Sequence, residues 1–460
     1  MILHKKNFES AALWIGAALL LCWQQAIAAI PVQHWTQPSG AGVYLVESPT
    51  IPMVDVQIDF DAGSRRDPAD KAGLAAVTAE MSSKGLTAAN PPAGGPYDAA
   101  LDENQLSEAW ADLGAGFGAG ANSDRMSFSM RSLTDPDLLS KAVQLAARQL
   151  GDPAFPDAIW QRERQRISAS IREANTRPAT IAAKAFAAAV YGSHPYGYDM
   201  TEESLKRISI EDIAQVYHRL IRPCRAKVSI VGAVTRAQAD ALATALLSRL
   251  PSGPAACEPL PAVPEVAPLA APVLREIPFA SAQAHVLIGQ PGYKRSDPDY
   301  FAMIVGNYIL GGGGFVSRLS REVREKRGLS YSVYSYFSPG LHAGAFTVGL
   351  QTRPDQAAQA VQVSREVVAR FVAEGPTPAE LKAAKDYLIG GFPLLIDSNR
   401  KLLENIANIA WNGLPLDYLD TWTKQVERVT VADVKAAFAR KLQPDRMVTV
   451  IVGAAPARQP

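Results

Sequence analysis

Apolar positions along the chain follow two alternating rhythms: short β-branched runs, read as strands, and longer alanine-rich stretches with helical spacing. Helices are expected over residues 167–173, 181–190 and 379–388. The segment 210–233 (IEDIAQVYHRLIRPCRAKVSIVGA) reads as a short amphipathic helix, a proline-marked turn and a β-branched strand ending at glycine. It matches 431–454 (VADVKAAFARKLQPDRMVTVIVGA) without a gap. Asp212 aligns with Asp433, Tyr217 with Phe438, Pro223 with Pro444, Arg225 with Arg446 and Gly232 with Gly453, and Ser209 and Thr430 precede the copies as helix N-caps. A second echo pairs Ala62-Gly63-Ser64-Arg65-Arg66-Asp67-Pro68 with Pro291-Gly292-Tyr293-Lys294-Arg295-Ser296-Asp297-Pro298, each following a strand and introducing a helix.

A gapless self-match of this length implies duplication, so the chain is expected to hold two tandem α+β halves, 29–250 and 273–460. The proline density of residues 251–272 forbids a regular helix or a central strand and favours an extended, semi-rigid linker.

Composition narrows the function classes. Of 460 residues, 48% are hydrophobic and 20% charged, an ordinary globular balance. Lys plus Arg number 46 against 45 Asp plus Glu, with no long basic run, so no footprint for nucleic acid exists. Lys5 and Lys6, the apolar run 11–22 and Ala26-Ile27-Ala28 have the order of an export signal over 1–28, with the mature chain starting near Ala29. The run is too short for a comfortable membrane span and no later stretch approaches one, so no stable membrane anchor is expected. Lipidation at Cys22 is disfavoured by Leu21 before it and Trp23 after it. Removal of Cys22 with the leader leaves Cys224 and Cys257, which an oxidising compartment would allow, without requiring, to form one disulfide.

Chemistry enters at two places, one per half. The first reads Gly73-Leu74-Ala75-Ala76-Val77-Thr78-Ala79-Glu80-Met81-Ser82-Ser83-Lys84-Gly85. The second is the run Gly311-Gly312-Gly313-Gly314-Phe315-Val316-Ser317-Arg318-Leu319 leading into Arg324-Glu325-Lys326-Arg327-Gly328-Leu329-Ser330-Tyr331. The glycines lack the Gly-Lys-Ser/Thr ending of a phosphate loop and suit a tight turn instead. In order and spacing these segments resemble the insulinase/pitrilysin-type zinc peptidases, and the resemblance extends over nearly all of the mature chain. It also takes in the turn His194-Pro195-Tyr196-Gly197, the helix 162–172, Pro376-Thr377-Pro378-Ala379-Glu380-Leu381 and Gly413-Leu414-Pro415-Leu416.

That resemblance implies two homologous halves, each a mostly antiparallel sheet covered by helices, enclosing a chamber. It also exposes a loss. Active relatives carry H-x-x-E-H in the first motif, two histidines holding zinc and a glutamate activating water. Here Ala76 and Glu80 stand at the histidine positions, Ala79 replaces the glutamate, and Ser170 falls at the third ligand, with Glu173 nearby. The six histidines (His4, His34, His194, His218, His285 and His342) offer no pair at metal-binding spacing. Gly118 replaces an asparagine of the substrate-facing edge strand, and residues 87–96 form a longer surface loop.

The second motif is intact. Arg324 and Tyr331 match the Arg/Tyr pair that the family presents toward a substrate carbonyl and its oxyanion. Read bare, Arg324 pairs with Glu322 or Glu325 and Tyr331 packs in the core. Read through the resemblance, this is the non-catalytic, substrate-binding subunit of an exported zinc metallopeptidase acting on peptides or unfolded polypeptides. The chain would bind no cofactor, and zinc would sit in a homologous H-x-x-E-H partner. A Gram-negative source would make it periplasmic. Structural or peptide-binding scaffolding without hydrolysis is the alternative.

Overall fold

The computed structural model describes residues 30–90, 97–251 and 257–453. The expected leader, residues 91–96 of the surface loop and 252–256 of the linker lie outside them. A six-stranded sheet contains β1 (Gln33–Thr36), β2 (Gly42–Glu47), β3 (Met53–Phe60), β4 (Gly116–Ala121), β5 (Met126–Leu133) and β6 (Lys227–Gly232), in the order β1-β2-β6-β3-β5-β4. A five-stranded sheet contains β7 (Val273–Ile277), β8 (Ala284–Pro291), β9 (Val333–Phe337), β10 (Ala345–Thr352) and β11 (Val448–Val452), in the order β7-β11-β8-β10-β9. Only β2–β6 and β7–β11 run parallel; every other pairing is antiparallel. Without β1 the two orders superimpose strand for strand, so the expected duplication holds as topology.

The repeated segment forms the same unit twice. Ser209 and Thr430 accept hydrogen bonds from the amides of Asp212 and Asp433, whose carboxylates accept from the cap amides in return. The helices Ile210–Leu220 and Val431–Lys441 follow, each ending in a one-turn proline helix before a buried strand, β6 or β11.

The halves do not close separately. Helix Pro178–Tyr191 belongs to the first half, yet its Ala182, Phe186 and Val190 pack on Ala345, Val448, Val450 and Val452 of the second sheet. Helix Asn399–Asn412 reciprocates: Leu402, Leu403, Ile406 and Ile409 cover Val46 and Val231 of the first. Polar contacts fix the second exchange. Lys227 Nζ donates to the Ala410 carbonyl at 2.6 Å and Arg125 Nη1 to Ala407 at 3.3 Å, placing two cations at the negative end of that helix. Arg125 is itself held at 3.0 Å by the fully buried Asp59.

The linker is tied down on both sides. A Cys224–Cys257 disulfide, with Cα atoms 6.0 Å apart, anchors its start, and Arg225 donates to the Glu258 carbonyl at 2.6 Å. Farther along, His194 Nε2 lies 3.0 Å from the Pro264 carbonyl, while Glu265 meets Lys294 at 2.5 Å and His342 at 3.3 Å. Among the described residues no helix is long and apolar enough to cross a membrane.

Because each sheet is completed by the other half, the chain is expected to unfold in one transition. Phe186→Ala, at a buried contact beside Gly289, should destabilise the whole molecule by about 3 kcal/mol. Calorimetry resolving two independent transitions, with only one moved by the substitution, would contradict the shared core.

Candidate functional site

The helix Leu74–Met81 carries the first motif. Asp67 sets its start, accepting from the amides of Gly73 and Ala75 at 2.9 Å each. Burial pushes the Asp67 carboxyl up to about 7 against those backbone donors. Ala76 and Glu80 face an open cleft of about 340 Å³, joined there by Ser170 from helix Asp157–Ala174 and floored by Val77, Ile167 and Met200. Ala79 does not line it and points into the core, 2% exposed. Glu173 falls outside the cleft too, on an exposed surface where it pairs with Arg177. The structure thus brings Ala76, Glu80 and Ser170 together and leaves Ala79 and Glu173 apart.

A cation belonging to the chain lines the cleft beside them. Arg166, one turn before Ser170, ion-pairs with Glu80 and reaches Glu163 at 2.6 Å through Nε. Glu163 is 4% exposed and also receives Arg162 at 2.8 Å and Lys84 at 3.5 Å; Arg162 continues to Glu103 at 2.6 Å. Burial alone would raise the Glu163 carboxyl, but Arg166, Arg162 and Lys84 outweigh it and hold it down to about 2. The Ala76 methyl, the Ser170 hydroxyl and a Glu80 carboxylate already bound to guanidinium do not suit zinc, which requires three or four N, S or O ligands. No cluster of three or more His, Cys, Asp or Glu side chains among the described residues could hold a metal ion.

The second site is built by a tight loop. A Cβ at Gly311 would approach Ser335 Oγ to 2.4 Å, so only glycine lets the chain pass β9 there. Gly314 takes φ +60°, turning the one-turn helix Gly314–Val316 outward, and its carbonyl accepts Ser317 Oγ at 2.7 Å. The following segment, Ser320–Glu325, is wound as a π-helix. Here the bare reading of the sequence is corrected. Glu322 is already engaged by Lys326 at 2.7 Å and Arg327 at 2.8 Å, which hold its carboxyl down to about 2. Arg324 is left without an ion pair among the described residues, its guanidinium 4.3 Å from the centroid of the Phe315 ring. Tyr331, far from packing in the core, is 88% exposed.

Beside them β9 forms a sheet edge, its Tyr334 and Tyr336 exposed and stacked with centroids 5.9 Å apart. In the six-stranded sheet the edge strand β4 carries Gly118, where a Cβ would meet Ser129 Oγ at 4.0 Å. His194 is structural: its Nδ1 accepts from the Tyr196 amide at 3.1 Å. Sequence reasoning overlooked Arg166 and Phe315. Arg166 shares a helix face with Ser170 at four-residue spacing, a usable signal; nothing local in the sequence shows that Phe315 reaches Arg324.

Residues 42–203 match the family described as insulinase (peptidase family M16), and residues 207–388 match that described as the peptidase M16 inactive domain. The crystal structure of a peptidase M16 inactive domain from Pseudomonas fluorescens superimposes with a TM-score of 0.84 at 34% identity, covering 93% of this chain and 100% of that one. An uncharacterized zinc protease of Mycobacterium leprae is 28% identical over 423 residues, 91% of each chain. A Helicobacter pylori protein named as a non-peptidase homolog is 30% identical over 239 residues, 51% of this chain and 53% of that one.

A depressed carboxyl stabilises the fold above its ordinary pKa and loses that contribution as pH falls toward the folded value. For Glu163 the window runs from about 4.5 down to about 2. Glu163→Gln should lower stability at pH 7 and flatten the acid loss within this window, as measured by urea unfolding across pH. An unaltered pH profile would show that the Arg166 network contributes nothing to holding the two helices together.

Proposed function

The chain belongs to the insulinase family of peptidases, family M16, and from that premise we propose that it is the non-catalytic, substrate-clamping subunit of a two-chain zinc metallopeptidase acting on peptides or unfolded polypeptides. The observation that carries this reading is the unequal state of the two sites. In the first half a guanidinium is bound by carboxylates where the family keeps its metal. In the second, a half-buried arginine and an exposed tyrosine have no side-chain hydrogen bond or ion pair among the described residues.

Guanidinium N–H groups and a phenol O–H donate to a peptide carbonyl, and bind more strongly as that oxygen gains charge. A homologous subunit with an intact H-x-x-E-H motif would hold the zinc and supply the attacking water. This chain's part is to bind and orient. An extended peptide laid along a sheet edge would be held mainly through its backbone, tolerating varied sequences, and β9 with its tyrosines offers such an edge. The leader-like sequence and the disulfide favour an exported protein, periplasmic in a Gram-negative cell. The non-peptidase name of the Helicobacter relative favours a second reading, a peptide-binding scaffold without hydrolysis.

Native mass spectrometry of the protein drawn from its source separates the two. A one-to-one complex with an H-x-x-E-H homologue carrying one zinc is expected, and Arg324→Ala should cut its peptide turnover about 100-fold. A metal-free homodimer, or turnover indifferent to Arg324, would leave the scaffold reading standing.

A further inference from the structure

We propose that Phe315 is a positioning residue for Arg324, an inference that rests on the substrate-clamping role just described. An arginine that must donate to a substrate faces conflicting demands: its long side chain needs holding, yet a carboxylate partner would take up two of its five N–H donors in a bidentate pair. Glu325, next to Arg324 in sequence, makes no ion pair with it among the described residues, and two other carboxylates of this half are committed to other cations. Glu322 is bound by Lys326 and Arg327, and Glu380 by Arg318 and Arg321. What remains beside Arg324 is the Phe315 ring, at 4.3 Å. A phenyl ring attracts a cation through its π face but has no acceptor atom, so it restrains the guanidinium while leaving every donor available.

Phe315 itself is 67% exposed, which its burial in a core cannot explain. Its place is set by the loop beneath it: Gly314 at φ +60° and the Ser317 hydroxyl on the Gly314 carbonyl turn residues 314–316 back over the π-helix that bears Arg324. The glycine run therefore has a purpose beyond close packing, since it carries an aromatic ring to a cation that has no ion pair among the described residues.

A double-mutant cycle on the reconstituted two-chain complex tests this, using an unstructured fluorogenic peptide and reading kcat and KM separately, with thermal melts to confirm folding. Phe315→Leu should lower kcat/KM five- to tenfold with an unchanged melting temperature, Phe315→Trp should retain activity, and Phe315→Leu added to Arg324→Ala should cost nothing more. If Arg324→Ala is crippling while Phe315→Leu is silent, or if the two losses add, positioning is overturned and the clamp stands. If Arg324→Ala is itself silent, both fall together.

Discussion

Each sheet has two apolar faces to bury, and its own half supplies helices for one of them. Everything else in the molecule depends on how the second face is covered. Helices Pro178–Tyr191 and Asn399–Asn412 cross to the opposite sheets, so neither duplicated unit is complete without its sister. The polar contacts follow from this arrangement. Asp59 can lie fully buried because it orients Arg125, and Arg125 with Lys227 meets the carbonyl end of the visiting helix, where cations are favoured. The linker adds a third tie through the disulfide, His194 and His342.

Within that rigid frame the two candidate sites differ in how charge is arranged. A metal site concentrates positive charge between helices and needs anions or imidazoles around it. Here Arg166 provides the positive charge covalently, so Glu80 and Glu163 are satisfied and the helix Leu74–Met81 is tied to the helix Asp157–Ala174 by a direct ion pair. In the second half Glu322 is matched to Lys326 and Arg327, and Arg324 is restrained by a ring instead. One guanidinium closes a network and the other is held open.

Much of this was legible in the sequence wherever the cause is local. The capping boxes at Ser209 and Thr430, the proline turns and the β-branched strands repeat in register, and they yield two matching sheets. The positions of Ala76, Glu80 and Ser170 on one cleft could be read from helical spacing and resemblance together. What could not be read depends on contacts far apart in the chain. No periodicity within residues 178–191 tells which sheet will receive them. The π-helical winding of Ser320–Glu325 and the approach of Phe315 to Arg324 arise from the packing of the loop against β9. Cys224 and Cys257 were two thiols of undecided state until the linker's path placed them side by side.

The exchange of helices has a consequence for biosynthesis. A chain made from its N-terminus completes β6 at Gly232, but the helix that covers the far face of that sheet ends at Asn412, roughly 180 residues later. At about 5–20 residues per second, the face around Val46 and Val231 stays bare for on the order of 10 s or longer. During this interval no local folding can cover that face, and the first half stays a sticky intermediate until the helix from the second half arrives.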